Sequence, residues 1–195
     1  MRRVTFVAAL IVVALVILPP LATYGSQLFA AHMMQHLLLI AVAAPLLAYS
    51  RPLIVNPTAA WLGFVGTFLF WHWPAAFQWA AGSEITTLLE FATILGTAYL
   101  FWSTAFAGAL SYGARALFVM TAAVATDLPG VVMVFAPRAL CTMPGEDAYA
   151  WSLTPLQDQQ IAGMLMWVPA NLIFFAIATW LFARWISASH ALVTS

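Results

Sequence analysis

About six long apolar segments, separated by proline, glycine or charged residues, limit the fold of this chain more than any other feature. A helix needs about 20 apolar residues to cross a bilayer core roughly 30 Å thick. The chain is 65% hydrophobic and 6% charged, far from the composition of soluble domains. We therefore predict an all-α fold, a polytopic membrane bundle of about six transmembrane helices forming one domain. The predicted spans are Val4–Leu21, Gln27–Tyr49, Ala59–Ala81, Ile85–Phe106, Ala114–Ala136 and Leu156–Arg184.

The placement of arginine predicts the orientation, because positively charged residues near span ends stay in the cytoplasm. With the N-terminus inside, Arg138 is the one arginine that lies outside, in a long extracytoplasmic loop over residues 137–155. An even number of spans then returns the C-terminus to the cytoplasm. The opening Met1-Arg2-Arg3 before an apolar run is also typical of a secretory signal peptide, so the first segment is either a retained span or a cleaved signal.

Charge and cysteine content exclude nucleic-acid binding and an internal disulfide framework. The chain has no lysine, and its 6 arginines balance 6 acidic residues, so it offers no basic surface to nucleic acid. Its single cysteine, Cys141, excludes an internal disulfide framework and leaves an inert thiol, an intermolecular bridge or a soft metal ligand.

The ionisable residues within the spans fall in the predicted outer half of the bilayer, counting a rise of about 1.5 Å per residue from the span ends. They are His32, His36, His72, Glu90, Asp127 and Asp158. An ionisable side chain in hydrocarbon costs about 2.5–3.5 kcal/mol even on the mildest scale. We therefore expect these groups to face one another in a polar chamber that opens to the outer side.

The segment His32-Met33-Met34-Gln35-His36 places two imidazoles on one helix face, one turn apart, which is a spacing that can chelate a metal. Imidazole with thioether suits copper, because soft sulfur selects Cu(I) and imidazole accepts either oxidation state. The candidate metal ligands are His32, His36, His72, Met33, Met34, Cys141, Met143 and Met164. The candidate hydrogen-bond partners behind them are Gln35, Glu90, Asp127 and Asp158.

Plainer interpretations of the same residues remain open. A buried histidine is often a packing residue, and methionine is a common core filler. Trp71-His72-Trp73-Pro74 also fits an interfacial aromatic belt around one polar residue. Asp158 follows Thr154-Pro155, where a carboxylate caps a helix N-terminus.

Three segments resemble the signatures of the CtaG-type cytochrome c oxidase assembly factors: His32–His36, His72-Trp73-Pro74, and LTPLQDQQIAGMLMWVP over 153–169. The family is associated with the maturation of haem–copper oxidases in bacterial membranes and with copper delivery. The resemblance implies copper ligation by His32, His36 and His72, and Asp158 and Met164 match positions of the third segment. In span four the family pattern has histidines around its acidic residue, whereas this chain has Glu90 without one.

The resemblance implies a copper metallochaperone of the respiratory chain, not an enzyme, in the bacterial inner (plasma) membrane. Its cargo would be copper, with Cu(I) favoured, and haem is not expected. Its partners would be haem–copper oxidase subunits and an extracytoplasmic copper donor protein, within the lipid bilayer. Two alternatives are a haem-binding oxidoreductase with His36 and His72 as axial ligands, and a transporter or a metal-free scaffold for oxidase subunits.

Overall fold

A computed structural model describes residues 1–107, 110–144 and 148–193, with side chains as far as residue 189. Every regular element among these residues is helical. The helices are α1 (Arg2–Ile17), α2 (Leu21–Gly25), α3 (Phe29–Leu38), α4 (Ala44–Ser50), α5 (Pro57–Trp71), α6 (Pro74–Ala81), α7 (Glu84–Ala107), α8 (Tyr112–Phe135) and α9 (Pro155–Val193). A π-helical turn, Leu39–Ala43, joins α3 to α4, and a 3₁₀ turn, Ala148–Trp151, precedes α9.

Four helical segments are long and apolar enough to cross a membrane, which confirms the all-α membrane class for the described residues. They are Phe29–Ser50, Glu84–Ala107, Tyr112–Phe135 and Pro155–Ser189. The other two predicted spans correspond to α1, with 16 residues, and α5, with 15. At a rise of about 1.5 Å per residue, each is shorter than the bilayer core. A total of six spans and the cytoplasmic location of both termini stay predictions.

The structure differs from the segment predicted as one span over Ala59–Ala81, because it contains two helices. Helix α5 ends at Trp71, and α6 begins at Pro74. Proline has no N–H to continue a helix, and it forces the residue before it into an extended conformation, as seen at Trp73 (φ −73°, ψ 130°). His72 therefore lies at a break between helices and not in the middle of a span.

Helix ends elsewhere differ less from the predicted segments. The first segment, predicted over Val4–Leu21, already ends as a helix at Ile17, before the pair Pro19-Pro20. The last, predicted over Leu156–Arg184, continues as a helix to Val193. Proline inside α8 and α9 does not end either helix.

The π-helical turn lies in the middle of the span that carries His32 and His36. Its defining bond runs from the N–H of Ala44 to the carbonyl of Leu39, one residue longer than an α-helical bond. Pro45, which follows Ala44, has no N–H that could donate to a carbonyl of the preceding turn. The indole Nε1 of Trp102 in α7 instead donates to the carbonyl of Ile40 at 2.8 Å. A buried tryptophan thus satisfies a backbone group that the turn leaves free.

Helices α8 and α9 pack closely, because two glycines face each other where they cross. A Cβ atom on Gly163 would lie 2.8 Å from the carbonyl oxygen of Gly130 and 2.9 Å from Cβ of Met133. A Cβ atom on Gly130 would lie 3.2 Å from the carbonyl oxygen of Gly163. Larger residues at this crossing would push the two backbones apart.

Aromatic rings from four helices form the core of the bundle. The ring of Phe101 in α7 lies 4.7 Å from Phe64 of α5, 4.8 Å from Phe118 of α8 and 5.9 Å from Phe174 of α9, between ring centroids. Large buried rings contribute much of the packing energy of a core. These contacts fix the positions of α5, α7 and α9 relative to one another, and polar residues of the predicted site lie on or next to these helices.

Candidate metal centre

His32 and His36 of α3 both meet the carboxylate of Glu90 in α7. Nε2 of His32 lies 3.2 Å from Oε2 of Glu90, and Nε2 of His36 lies 3.3 Å from Oε1. The exposed fraction is 1% for each histidine and 0% for Glu90. One ligand atom from each of the three residues falls within 4.8 Å of the others. The four-residue spacing in the sequence thus places both imidazoles on one face, and α7 supplies a negative charge between them.

His72 reaches the same cluster from the break after α5. Its ring centroid lies 5.3 Å from that of His36, and its ring stacks on Phe68 at 4.1 Å. Nδ1 of His72 donates to the carbonyl of Phe68 at 2.6 Å, so this nitrogen carries the hydrogen. The other ring nitrogen, Nε2, is buried without a hydrogen-bond partner and keeps its lone pair. This is the usual tautomer arrangement of a metal-ligating histidine.

Glu90 has a more direct position than the sequence indicated. We predicted a hydrogen-bond partner behind the ligands, whereas the structure places both carboxylate oxygens beside imidazole nitrogens. Its oxygen Oε1 has no hydrogen-bond partner. Glu90 therefore belongs with the histidines as a group that could itself hold a metal ion.

Asp158 lies apart from this cluster and holds the start of α3. Its Oδ2 accepts from the N–H of Phe29 at 2.7 Å, and its Oδ1 accepts from the N–H of Ala30 at 2.9 Å. These are amides of the first helical turn, which have no partner inside the helix, and the helix dipole favours a negative charge there. Asp158 thus fixes the N-terminus of the helix that carries His32 and His36.

The N-terminus of α9 itself is capped by other residues. The hydroxyl of Thr154 accepts from the N–H of Gln157 at 3.3 Å, and the amide oxygen of Gln157 accepts from the N–H of Thr154 at 2.9 Å. This reciprocal pair is a capping box. The capping interpretation of Asp158 is therefore right in kind, but the capped helix is α3 and not α9.

Gln35, predicted to support the imidazoles, instead forms a hydrogen bond between two helices. Its Nε2 donates to the carbonyl of Val16 at 2.7 Å, which ties α3 to the end of α1. Gly25 gives the amide its space, because a Cβ atom at that position would overlap the side-chain oxygen of Gln35.

Asp127 and His36 both line a small cavity of about 30 Å³. Its Oδ1 accepts from Nδ2 of Asn171 at 2.6 Å. A water molecule needs about 10–15 Å³ of such space, so the cavity has room for about two. Both Nδ1 of His36 and Oδ1 of Asn171 are buried without a partner. Asp127 is therefore bonded to Asn171, and water in this cavity could bridge its carboxylate to His36.

The predicted sulfur ligands are dispersed. Met33 is buried in the hydrophobic core, and Met34 is half-buried. Met164 is 48% exposed on the surface of α9, so it is not enclosed with the histidines. Met143 lines a large cavity that His32 also lines. Met143 thus shares a cavity wall with a histidine of the cluster.

Cys141 lies in the loop before α9 and is buried. Its N–H donates to the side-chain oxygen of Gln159 at 3.1 Å, and Nε2 of Gln159 donates to the carbonyl of Met133. Burial raises the pKa of the Cys141 thiol to about 11. A thiol that stays protonated at neutral pH is a poor metal ligand.

The large cavity has a volume of about 720 Å³ and reaches the histidine–glutamate cluster at His32. Its walls come from the end of α1, from α2 and α3, from the start of α7 and from the loop before α9. These elements meet at the end of the bundle that the arginine pattern predicts to be extracytoplasmic. The cluster is thus buried in the protein, while one of its histidines borders an open space.

Comparison with known families identifies one that covers almost the whole chain. The family described as cytochrome c oxidase caa3 assembly factor matches residues 1–55 and 53–188. No curated protein and no solved structure matches the chain. The matched ranges contain the three clustered histidines, Glu90 and Asp158. The chain therefore belongs to the caa3-type CtaG family of cytochrome c oxidase assembly factors.

Proposed function

We propose that this assembly factor binds copper between His32, His36, His72 and Glu90 and passes it to a nascent haem–copper oxidase. The copper is a cargo, and the protein acts by binding and transfer without catalysing a reaction. The supply would come from an extracytoplasmic copper donor protein, and the recipient would be an oxidase subunit in the bacterial inner membrane. The membership of the family supports the link to the oxidase, and the buried cluster supports the cargo.

One observation carries the proposal: several buried polar atoms of the cluster have no hydrogen-bond partner. They are Nε2 of His72, together with Nε2 of His36 and Oε1 of Glu90, which face each other at 3.3 Å without the geometry of a hydrogen bond. An unpartnered buried polar atom costs about 1–3 kcal/mol, so such atoms are uncommon in a stable core. A bound metal ion would give a partner to nitrogen and oxygen atoms that hydrogen bonds leave unused.

The chemistry of the donors favours copper over other common metals. Imidazole binds copper in both oxidation states, and copper stands at the top of the affinity order of divalent metals for nitrogen and oxygen sites. The thioether of Met143 on the wall of the neighbouring cavity supports Cu(I), because soft sulfur prefers that state. The single carboxylate, Glu90, would offset the charge of one Cu(I) ion.

Replacement of both α3 histidines should abolish copper binding. We expect the His32→Ala/His36→Ala variant to retain less than about a tenth of the copper of the unchanged protein, because loss of even an outer-shell partner lowers metal affinity by about 10–100-fold. The measurement is the copper content of detergent-purified protein after loading under reducing conditions and removal of unbound metal.

Met164→Leu is the control, since this exposed thioether lies on the surface of α9 and its loss should leave the bound copper unchanged. Circular dichroism and size-exclusion profiles should match for all variants. Equal copper in the histidine variant and the unchanged protein would contradict the proposed site. A haem absorption band in the purified protein would favour the bis-histidine haem alternative instead.

Glu90→Gln tests whether the carboxylate is part of the site. Glutamine has nearly the same shape but no charge, so we expect copper affinity to fall by at least about tenfold while the helices keep their packing. Thr97→Val is the control, because Thr97 lies on the same helix about 10 Å from Glu90 and its hydroxyl bonds to a carbonyl of that helix. Competition with a chromophoric Cu(I) chelator measures both affinities. The same affinity in both variants would leave Glu90 outside the site.

A further inference from the structure

The cavity beside His32 is much larger than a metal ion requires. Its volume of about 720 Å³ lies within the range of sites that bind small molecules, about 300–1,000 Å³. One histidine of the buried cluster and one thioether, Met143, contribute to its walls. The other three members of the cluster, His36, His72 and Glu90, are buried.

The walls of the cavity combine a polar part with an apolar part. Hydroxyl, amide and carboxyl groups come from the residues near α2 and the start of α7, namely Thr23, Ser26, Gln27, Ser83, Glu84 and Thr87. Apolar side chains come from the end of α1 and from α7, among them Val16, Leu88 and Phe91. Such a surface can accommodate a side chain or a small ligand that still holds a metal ion.

We propose that this cavity is the port through which copper, still bound to a ligand group of its carrier, reaches the side chain of His32. The inference rests on the proposed copper site and adds the route to it. Copper stays Cu(I) throughout: a bond to the thioether of Met143 or to the imidazole of His32 forms as a bond to the carrier breaks. No electron is transferred, and the carrier leaves by the path by which it came.

A removable plug at the rim of the cavity tests the route. Ser26 is exposed and lines the cavity, so Ser26→Cys provides a thiol there. The native Cys141 does not interfere, because its side chain is buried and out of reach of the label. One sample receives a bulky disulfide-forming label and a second a methyl label, so that the new thiol is blocked in both and only the size differs.

The readouts are the rate of copper loading from a Cu(I)–acetonitrile complex and the final amount of bound copper. We expect the bulky label to slow loading at least tenfold relative to the methyl label, with the same final amount, and removal of the label to restore the rate. Ser187→Cys with the bulky label is the control, because Ser187 is exposed about 44 Å along α9 from Asp158. Its loading rate should not change.

The outcomes distinguish a failure of the entry port from a failure of the copper site. Copper that binds at the same rate with either label at position 26 would overturn the port and leave the copper site standing. Equal slowing by the label at position 187 would also overturn the port, since the effect would not depend on the cavity. The absence of bound copper in the unlabelled protein would overturn the proposed function and the port together.

Discussion

Replacing Asp158 with alanine is expected to lower the free energy of unfolding by about 2–4 kcal/mol, because a buried amide, at about 1–3 kcal/mol, and a part-buried amide both lose their acceptor. The amides are those of Phe29 and Ala30 at the start of α3. Since His32 lies within the first turns of the same helix, copper binding should fall together with stability. Unfolding by a denaturing detergent in mixed micelles, followed by tryptophan fluorescence, measures the change.

Asp158→Asn is the matched comparison, because its single side-chain oxygen can still accept one of the two hydrogen bonds. We expect its stability and copper content to lie between those of the unchanged protein and Asp158→Ala. Equal stability of Asp158→Ala and the unchanged protein would contradict the capping role. A loss of copper with full stability would instead place Asp158 in the metal site.

Replacing Gly163 with alanine should have the other large effect on the fold. The added Cβ would lie 2.8 Å from a backbone oxygen of α8, and a backbone cannot move aside as the end of a side chain can. Overpacking of this kind costs about 1–3 kcal/mol. Helices α8 and α9 should separate slightly, and this movement would also shift Asp158, which lies on α9. The same detergent titration measures the loss of stability.

Gly96→Ala provides the control for the crossing of α8 and α9. Gly96 lies inside α7 with nothing within 4 Å of an added Cβ, so the substitution meets open space. Alanine is a better helix former than glycine by about 0.8–1.0 kcal/mol, and the variant should be as stable as the unchanged protein or more so. Equal stability of Gly163→Ala and Gly96→Ala would show that the close approach does not hold these helices.

The sequence was sufficient to predict that the histidines lie together, because their pattern is local. Two imidazoles four residues apart must share a helix face, and the depth of His72 followed from counting residues along its own span. The structure places His72 beside His36, although Pro74 ends helix α5 at Trp71, ten residues before the end of the predicted span. The apolar run predicts burial in lipid or protein, but it does not show where backbone hydrogen bonding stops.

The roles of the carboxylates could not be predicted in the same way, since they depend on contacts between distant parts of the chain. Asp158 binds amides 129 and 128 residues away, and Glu90 meets His32 across 58 residues. Depth counting placed all the acids near one level of the membrane, but it does not give the rotation of each helix about its axis. That rotation directs Glu90 to the imidazoles and Asp127 to Asn171.

The methionines show that sequence neighbours and motif matches do not predict which sulfur atoms lie near the histidines. Met33 follows His32 directly, yet a neighbouring residue in a helix points about 100° away, and Met33 packs in the core. Met164 matches a family motif but is exposed on α9. Met143 borders the same cavity as His32 although it is far away in the sequence. Proximity in the sequence and proximity to the cluster are unrelated for these three residues.

The π-helical turn determines how the second half of the second span is rotated about the helix axis relative to the first half. In an uninterrupted α-helix, Ala48 would lie about 120° around the axis from His36, 12 residues earlier. The turn accommodates one residue more than an α-helix would, which removes about 100° of that difference. Both residues can therefore face α7, where His36 meets Glu90 and α4 packs against the same helix. A deletion of one residue within Leu39–Ala43 would leave the composition of the span almost unchanged and would put its two halves out of step.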